Sequence, residues 1–272
     1  MKITEEYLNK LNESGAAYLI VTTVMKLIFL IIHRIVLKVK TKKREYELEN
    51  KLYSVTQKKY NVFSFKDDVP NAFVFEWFKS NIYLTSGLLK MMNERELIAI
   101  MIHETSHIIN HDLVKRNSIE FGGSTFLIMI FGSLERLAIK SRNPNIGLGV
   151  MQLTFIAAII LTVFMMSWTV KHYRKQETAA DVSVVKYGYS KDLISAFKKF
   201  DVYKKKELKE FAKKNPNIDV KRLDDEFKRL DEHPEHKDRI KKLLEEEKLY
   251  AAMAKGNLVE VKNIIKSYLI AA

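Results

Sequence analysis

Apolar residues are spread unevenly along the chain, and their spacing divides it into stretches of different kinds. From Ile146 to Val170 there are 25 residues without a charge, enough for a helix to cross a hydrocarbon layer of about 30 Å. A second run, Ala16 to Leu37, is interrupted by Lys26, His33 and Arg34. It is long enough to span with Lys26 snorkelling or facing protein, and a buried amphipathic helix is the alternative. Its length and the lack of a small-residue cleavage site mark a retained anchor rather than a cleaved leader. A third run, Phe121 to Leu134, has only 14 residues before Glu135 and Arg136, a weak span by itself. Either 121–139 and 146–170 form a membrane hairpin turned at Asn143-Pro144-Asn145, or neither crosses.

Between these runs the period changes. Leu97, Ile98, Met101, Ile102, Ile108 and Ile109 recur at helical spacing behind Asn93, an N-cap residue, with Glu96 placed to complete a capping box. Just upstream, Ala72-Phe73-Val74-Phe75 and Asn81-Ile82-Tyr83-Leu84-Thr85 read as the strands of a hairpin with its turn at Lys79-Ser80-Asn81. Pro70 makes the first of them an edge strand. Residues 171–250 are polar and helix-forming, with Gly188 closing one helix and Asn215-Pro216-Asn217 marking a loop. The division expected is an anchor and basic linker (1–50), a first globular part (51–118), a membrane hairpin (119–170), a second globular part (171–250) and a helical tail (251–272).

Charge bears on partners and orientation. The 272 residues carry 46 basic and 33 acidic side chains, a net charge of +13. The basic residues are interleaved with glutamates on helices and form no platform of arginine and aromatic residues, which argues against a nucleic-acid partner. Arg34, Lys38, Lys40, Lys42, Lys43 and Arg44 follow the first apolar run closely, whereas only Lys2 and Lys10 precede it. By the positive-inside rule the downstream region is cytoplasmic. The absence of cysteine excludes disulfides and thiolate ligands and suits a reducing compartment.

The chemistry sits in His103-Glu104-Thr105-Ser106-His107. At about 100° per residue the two histidines lie on one helix face, one turn apart, so both imidazoles can reach one tetrahedral ion, with the carboxylate of Glu104 beside it as a base. Two neutral histidines and a carboxylate on a buried helix would be costly without a cation, which disfavours a merely structural histidine pair. Catalytic zinc sites have three protein ligands and leave the fourth position to water. Glu177 is the best third candidate, with Asp181 one turn on and on the same face, placed to hold a ligand imidazole by its free N–H. The other reading of Glu177 and Asp181 is a solvated charged face beside Lys171, Arg174 and Lys175. His111 lies beyond reach of the ion and reads as a helix-end residue.

Over roughly residues 60–245 the chain resembles the HtpX-type membrane zinc metalloproteases, relatives of the CAAX prenyl proteases of the endoplasmic reticulum. The resemblance rests on Pro70-Asn71-Ala72-Phe73, Ser86-Gly87-Leu88-Leu89, the HExxH run continuing to Asp112, Glu177-xxx-Asp181, and His233-Pro234 with Arg239. It implies a mainly α fold with a small β-sheet, a zincin-like metalloprotease domain with transmembrane helices. It also implies that Glu177 is the third ligand, Asp181 supports an imidazole, and Asn71 lies on a substrate-aligning edge strand. His233 and Arg239 would line the cleft and stabilise an oxyanion, although His233 could equally cap locally and Arg239 pair with Glu235. Thr105-Ser106 departs from the smaller or apolar residues commoner in that family.

The expected protein is thus a multi-pass metalloendopeptidase of the cell membrane, holding one zinc ion per chain with its active site facing the cytoplasm. It would hydrolyse peptide bonds in misfolded or membrane proteins, as part of protein quality control. Its partners would be those substrates and the lipid bilayer. The alternatives are a prenyl-dependent CAAX-type protease and a catalytically silent membrane scaffold stabilised by zinc.

Overall fold

A computed structural model describes residues 14–39, 42–76, 80–140, 144–222, 224–225, 233–257, 259–261 and 263–264. In chain order its elements are α1 (Gly15–Val39), β1 (Lys42–Arg44), α2 (Tyr46–Thr56), β2 (Asn61–Phe65), β3 (Ala72–Glu76), β4 (Ser80–Thr85) and α3 (Ser86–Met91). There follow α4 (Glu94–Asn110), α5 (Asp112–Ile139), α6 (Pro144–Lys186), α7 (Ser190–Lys214) and α8 (His236–Ala254). The chain divides into two compact units, Met1–Lys40 with Leu113–Thr169, and Thr41–Asp112 with Val170–Ala272.

The first unit is built from α1, α5 and the first part of α6. Among the described residues three helices are long and apolar enough to cross a membrane, Gly15–Ile32, Asp112–Ile139 and Asn145–Lys186. Their apolar side chains point outward: Phe29, Phe126, Leu137, Leu153 and Phe164 are all exposed, as on helices solvated by lipid. The run expected as a weak 14-residue span lies inside a continuous 28-residue helix, α5. Glu135 is compatible with that helix because its carboxylate is buried and occupied. It accepts the Thr154 hydroxyl at 2.6 Å and the Ala16 N–H at 3.2 Å. The first turn of α1 has amides with no partner inside the helix, and a carboxylate placed there also meets the positive end of the helix dipole. Gly15 permits the approach, since a Cβ there would stand 2.3 Å from the Thr154 carbonyl oxygen. The turn expected at 143–145 begins outside the described residues, and α6 opens at Pro144, where a missing N–H costs a helix nothing.

In the second unit a four-stranded sheet has the order β1-β2-β4-β3. The expected hairpin is the antiparallel pair β3–β4, with Ala72 opposite Leu84 and Phe75 opposite Asn81; residues 77–79 of its turn lie outside the described residues. β3 is an edge strand, as Pro70 foretold. β2 pairs parallel with β4 on the other side, and β1 antiparallel with β2. The stretch expected as a basic linker is instead folded, as β1 and α2. Its charges hid the pattern: Leu48 packs against the core, while Arg44 makes a two-pronged pair with Glu49 on the surface.

One core joins the sheet to the helices, with Val62, Ile82, Leu84, Leu88, Met101, Ile102, Val184, Leu193 and Leu243 all buried. α4 lies at its centre because Leu97, Ile98, Met101 and Ile102 face inward. Ile109, expected in the same stripe, is 47% exposed, because the helix is ending there. At its start the Glu96 N–H donates to Asn93 Oδ1 at 2.9 Å and the Asn93 N–H to Glu96 Oε2 at 2.7 Å, closing the capping box. α7 locks this end. Lys199 reaches Glu96 Oε2 at 2.6 Å, Ser195 reaches Oε1 at 2.7 Å, and Arg95 forks onto Asp192.

Burial opposes the charge of Glu96, but the bonds from Lys199, the Asn93 amide and Ser195 outweigh it and lower the carboxyl pKa. That stability is therefore present at neutral pH and lost as pH falls through the native pKa, which lies below the ordinary carboxylate value of about 4.3. Glu96→Gln is expected to cost about 2 kcal/mol at neutral pH, and the gap to the parent should close in denaturant titrations below that value. Gly87 is the second checkpoint. A Cβ there would stand 2.3 Å from the Asp68 carbonyl oxygen, so Gly87→Ala is expected to lower stability by about 1–3 kcal/mol in the same titrations.

Candidate metal centre

α4 carries His103 and His107 on one face, with ring centroids 4.9 Å apart and planes at 81°. The two Nε2 atoms face each other at 3.2 Å. Glu177, from α6, closes the triangle: its Oε2 is 3.3 Å from His103 Nε2 and its Oε1 3.3 Å from His107 Nε2. One ligand atom from each of the three residues lies within 4.8 Å of the others, and His103 and Glu177 are buried.

The far side of each ring sets what the near side can do. His107 Nδ1 meets Asp112 Oδ2 at 2.8 Å and His103 Nδ1 stands 3.0 Å from Asp181 Oδ1. A carboxylate at Nδ1 fixes the proton there in a neutral imidazole, leaving the Nε2 lone pair facing forward. Two such lone pairs at 3.2 Å and a carboxylate repel one another unless something positive lies among them. Glu177 is buried, with its Oε2 turned toward the two rings. Without a cation, protons take that part. Burial works against a charged ring, yet Asp112 and Glu177 push the pKa of His107 up to about 10, and Asp181 and Glu177 likewise raise that of His103 against its burial. Two imidazole nitrogens and a carboxylate oxygen are the donor set of a divalent zinc-type site with an open fourth position.

Arg239 ties the back of the site together. Its Nε and Nη2 bond both oxygens of Asp181 at 2.7 Å, its guanidinium lies 4.3 Å over the Phe197 ring, and Nη2 is 3.4 Å from Glu177 Oε2. The guanidinium that was expected to stabilise an oxyanion, or to pair with Glu235, is buried with Nε and Nη2 on Asp181. His233 reaches Glu177 Oε2 at 2.8 Å through Nδ1 while its side chain is 57% exposed, so it stands at the mouth of the site. Glu104 is half-buried beside His103, and its charge acts on both His107 and Arg239. Asn71 is exposed at the head of β3, its backbone clasped by Thr85; it belongs to the sheet edge and not to the metal cluster. His111 takes a left-handed conformation, φ 52°, and ends α4 with its N–H on His107 and Ile108 carbonyls.

Sequence reasoning missed Asp112. The available signal was a carboxylate directly after the helix-ending His111: the left-handed turn brings it back onto the last turn of α4, within reach of His107.

The model of peptidase family M48 matches residues 32–247. The chain belongs to peptidase family M48. Protease HtpX of Nitrosococcus oceani is 28% identical over 135 residues, 48% of this chain and 46% of that protein. A protease HtpX homolog of Streptococcus gordonii is 30% identical over 152 residues, 52% and 51% of the two. The aligned region thus spans about half the length of these curated relatives. The crystal structure of S. mikatae Ste24p matches with a TM-score of 0.53 at 16% identity, covering 83% of this chain and 58% of that one, a likeness of fold.

For this M48 chain, Asp112→Asn is expected to weaken zinc binding by about 10–100-fold. Competition with a chromophoric chelator measures it, and unchanged affinity would show that Asp112 does not orient His107.

Proposed function

We propose that the chain is a membrane-bound zinc metalloendopeptidase that hydrolyses peptide bonds in misfolded or membrane proteins and so serves protein quality control. The observation that carries this reading is the convergence of His103 Nε2, His107 Nε2 and Glu177 on one point, with Glu104 next to the first ligand. Family M48 membership and the HtpX relatives support it. The donor set fits zinc, with one ion per chain held by His103, His107 and Glu177. When bound, that ion supplies a Lewis acid for the scissile carbonyl and lowers the pKa of water.

The chain's own groups do the rest. β3 is the last strand of the sheet order, and an extended segment adds beside it as a further strand with Asn71 at its start. Glu104 takes the proton from the attacking water and delivers it to the leaving amine. Arg239 acts through Asp181, keeping His103 oriented, while His233 at the mouth is the side chain placed to meet substrate. The outward-facing apolar helices support a multi-pass protein of the cell membrane. The basic residues at and beyond the end of the first apolar run favour a catalytic unit on the cytoplasmic side.

Glu104→Gln is expected to retain zinc and lose about 10²–10⁴-fold in cleavage of an unfolded protein, whereas Glu177→Gln loses the metal as well. Metal content and proteolysis measured on the same purified, detergent-solubilised samples test both. A chelator should abolish cleavage and added zinc restore it. Wild-type cleavage by the Glu104→Gln protein would overturn the mechanism.

A further inference from the structure

Outside the metal cluster a strongly one-sided surface lies on α7, which has nine lysines, no arginine and four acidic residues. At about 100° per residue, Lys198, Val202, Lys205, Lys206, Lys209 and Lys213 fall within one arc of about 100°. All six are exposed, Val202 at 69%. Asp192, Asp201, Glu207 and Glu210 all lie outside that arc. At its border Lys206 approaches Glu210 at 3.9 Å, and Lys199 is held by Glu96 and the Met91 carbonyl. A solvated helix face ordinarily mixes the two signs at i,i+4 spacing; this one keeps a single sign for about 22 Å.

Beside the stripe lies a shallow groove of about 440 Å³. Met91, Val202 and Tyr203 give it apolar walls, and Lys198, Lys199 and Lys206 rim it. A cationic rim around an apolar floor matches an amphiphile with a negative head. Lysine without arginine or an exposed aromatic ladder suits phosphate headgroups rather than stacked bases. A chain with three helices apolar enough to span also keeps a leaflet at high effective concentration.

We propose that this face of α7 docks on the anionic phospholipid leaflet, with its ammonium groups on lipid phosphates and Val202 and the groove turned toward the glycerol region. Docking of this kind is additive in charge and screened by salt.

The chain has no cysteine, so Val202→Cys creates a single thiol for an environment-sensitive fluorophore. The labelled full-length protein is placed in nanodiscs of phosphatidylcholine alone, or of phosphatidylcholine with phosphatidylglycerol, each with brominated acyl chains as quenchers. The expected result is quenching in the anionic discs only, lost at high salt. Each single change, Lys205→Gln, Lys209→Gln or Lys213→Gln, should lower the docked-to-free ratio about fivefold. Circular dichroism checks that these exposed variants fold, and the three separate changes keep the test valid if one does not. Equal quenching in both disc types, no quenching in either, or undiminished quenching in all three variants would overturn the proposal. So would displacement of the stripe from anionic discs by single-stranded RNA or by an acidic peptide at matched charge concentration, which would assign the face to that partner.

Discussion

Two imidazole Nε2 atoms held 3.2 Å apart with a buried carboxylate closing on them form an arrangement that, with both rings neutral, electrostatics alone would open. It persists because each member is gripped from behind: His107 by Asp112, and His103 by Asp181, which is itself gripped by Arg239. The remaining features of the catalytic unit hold these grips in place. α4 is kept rigid by its capping box and by α7, the sheet covers its flank, and α8 delivers Arg239 over the Phe197 ring. The repulsion among the three donors is what gives the site its appetite for a cation, and the scaffold supplies the resistance that keeps the donors from drifting apart.

What could be read in advance follows the range of the interactions. The histidine spacing, the Asn93–Glu96 box, the β3–β4 hairpin and the apolar runs are local patterns, written within a few residues of one another. Glu177 was legible only through its ordered company, Asp181 and the late His-Pro element, since a carboxylate among lysines has no local mark of a ligand. The parallel pairing of β2 with β4, the burial of Leu52 in a charge-rich helix and the seizure of Asp181 by Arg239 depend on residues far apart in the chain. Asp112 was hidden for a different reason: its role depends on His111 adopting a positive φ, which composition does not announce.

The departures of the motif helix from commoner family residues prove inexpensive. Thr105 is buried and turns its hydroxyl back onto the Ile102 carbonyl at 2.7 Å, satisfying itself within the helix. Ser106 is likewise buried, with Asn110 3.3 Å away donating to it. Neither side chain competes for the face that bears the imidazoles. The polar pair therefore changes the back of the helix and leaves the donor geometry alone.

The carboxylate of Glu135 meets the Ala16 amide, in the first turn of α1, across 119 positions of sequence. A ribosome working from one end exposes that amide long before its acceptor has been made. Until the later helices arrive, the front turn of α1 must borrow oxygen from water or lipid headgroups, and it exchanges that loan for Glu135 and Thr154 when they come alongside. The native partners of this turn are thus supplied by two later helices, Glu135 from α5 and Thr154 from α6.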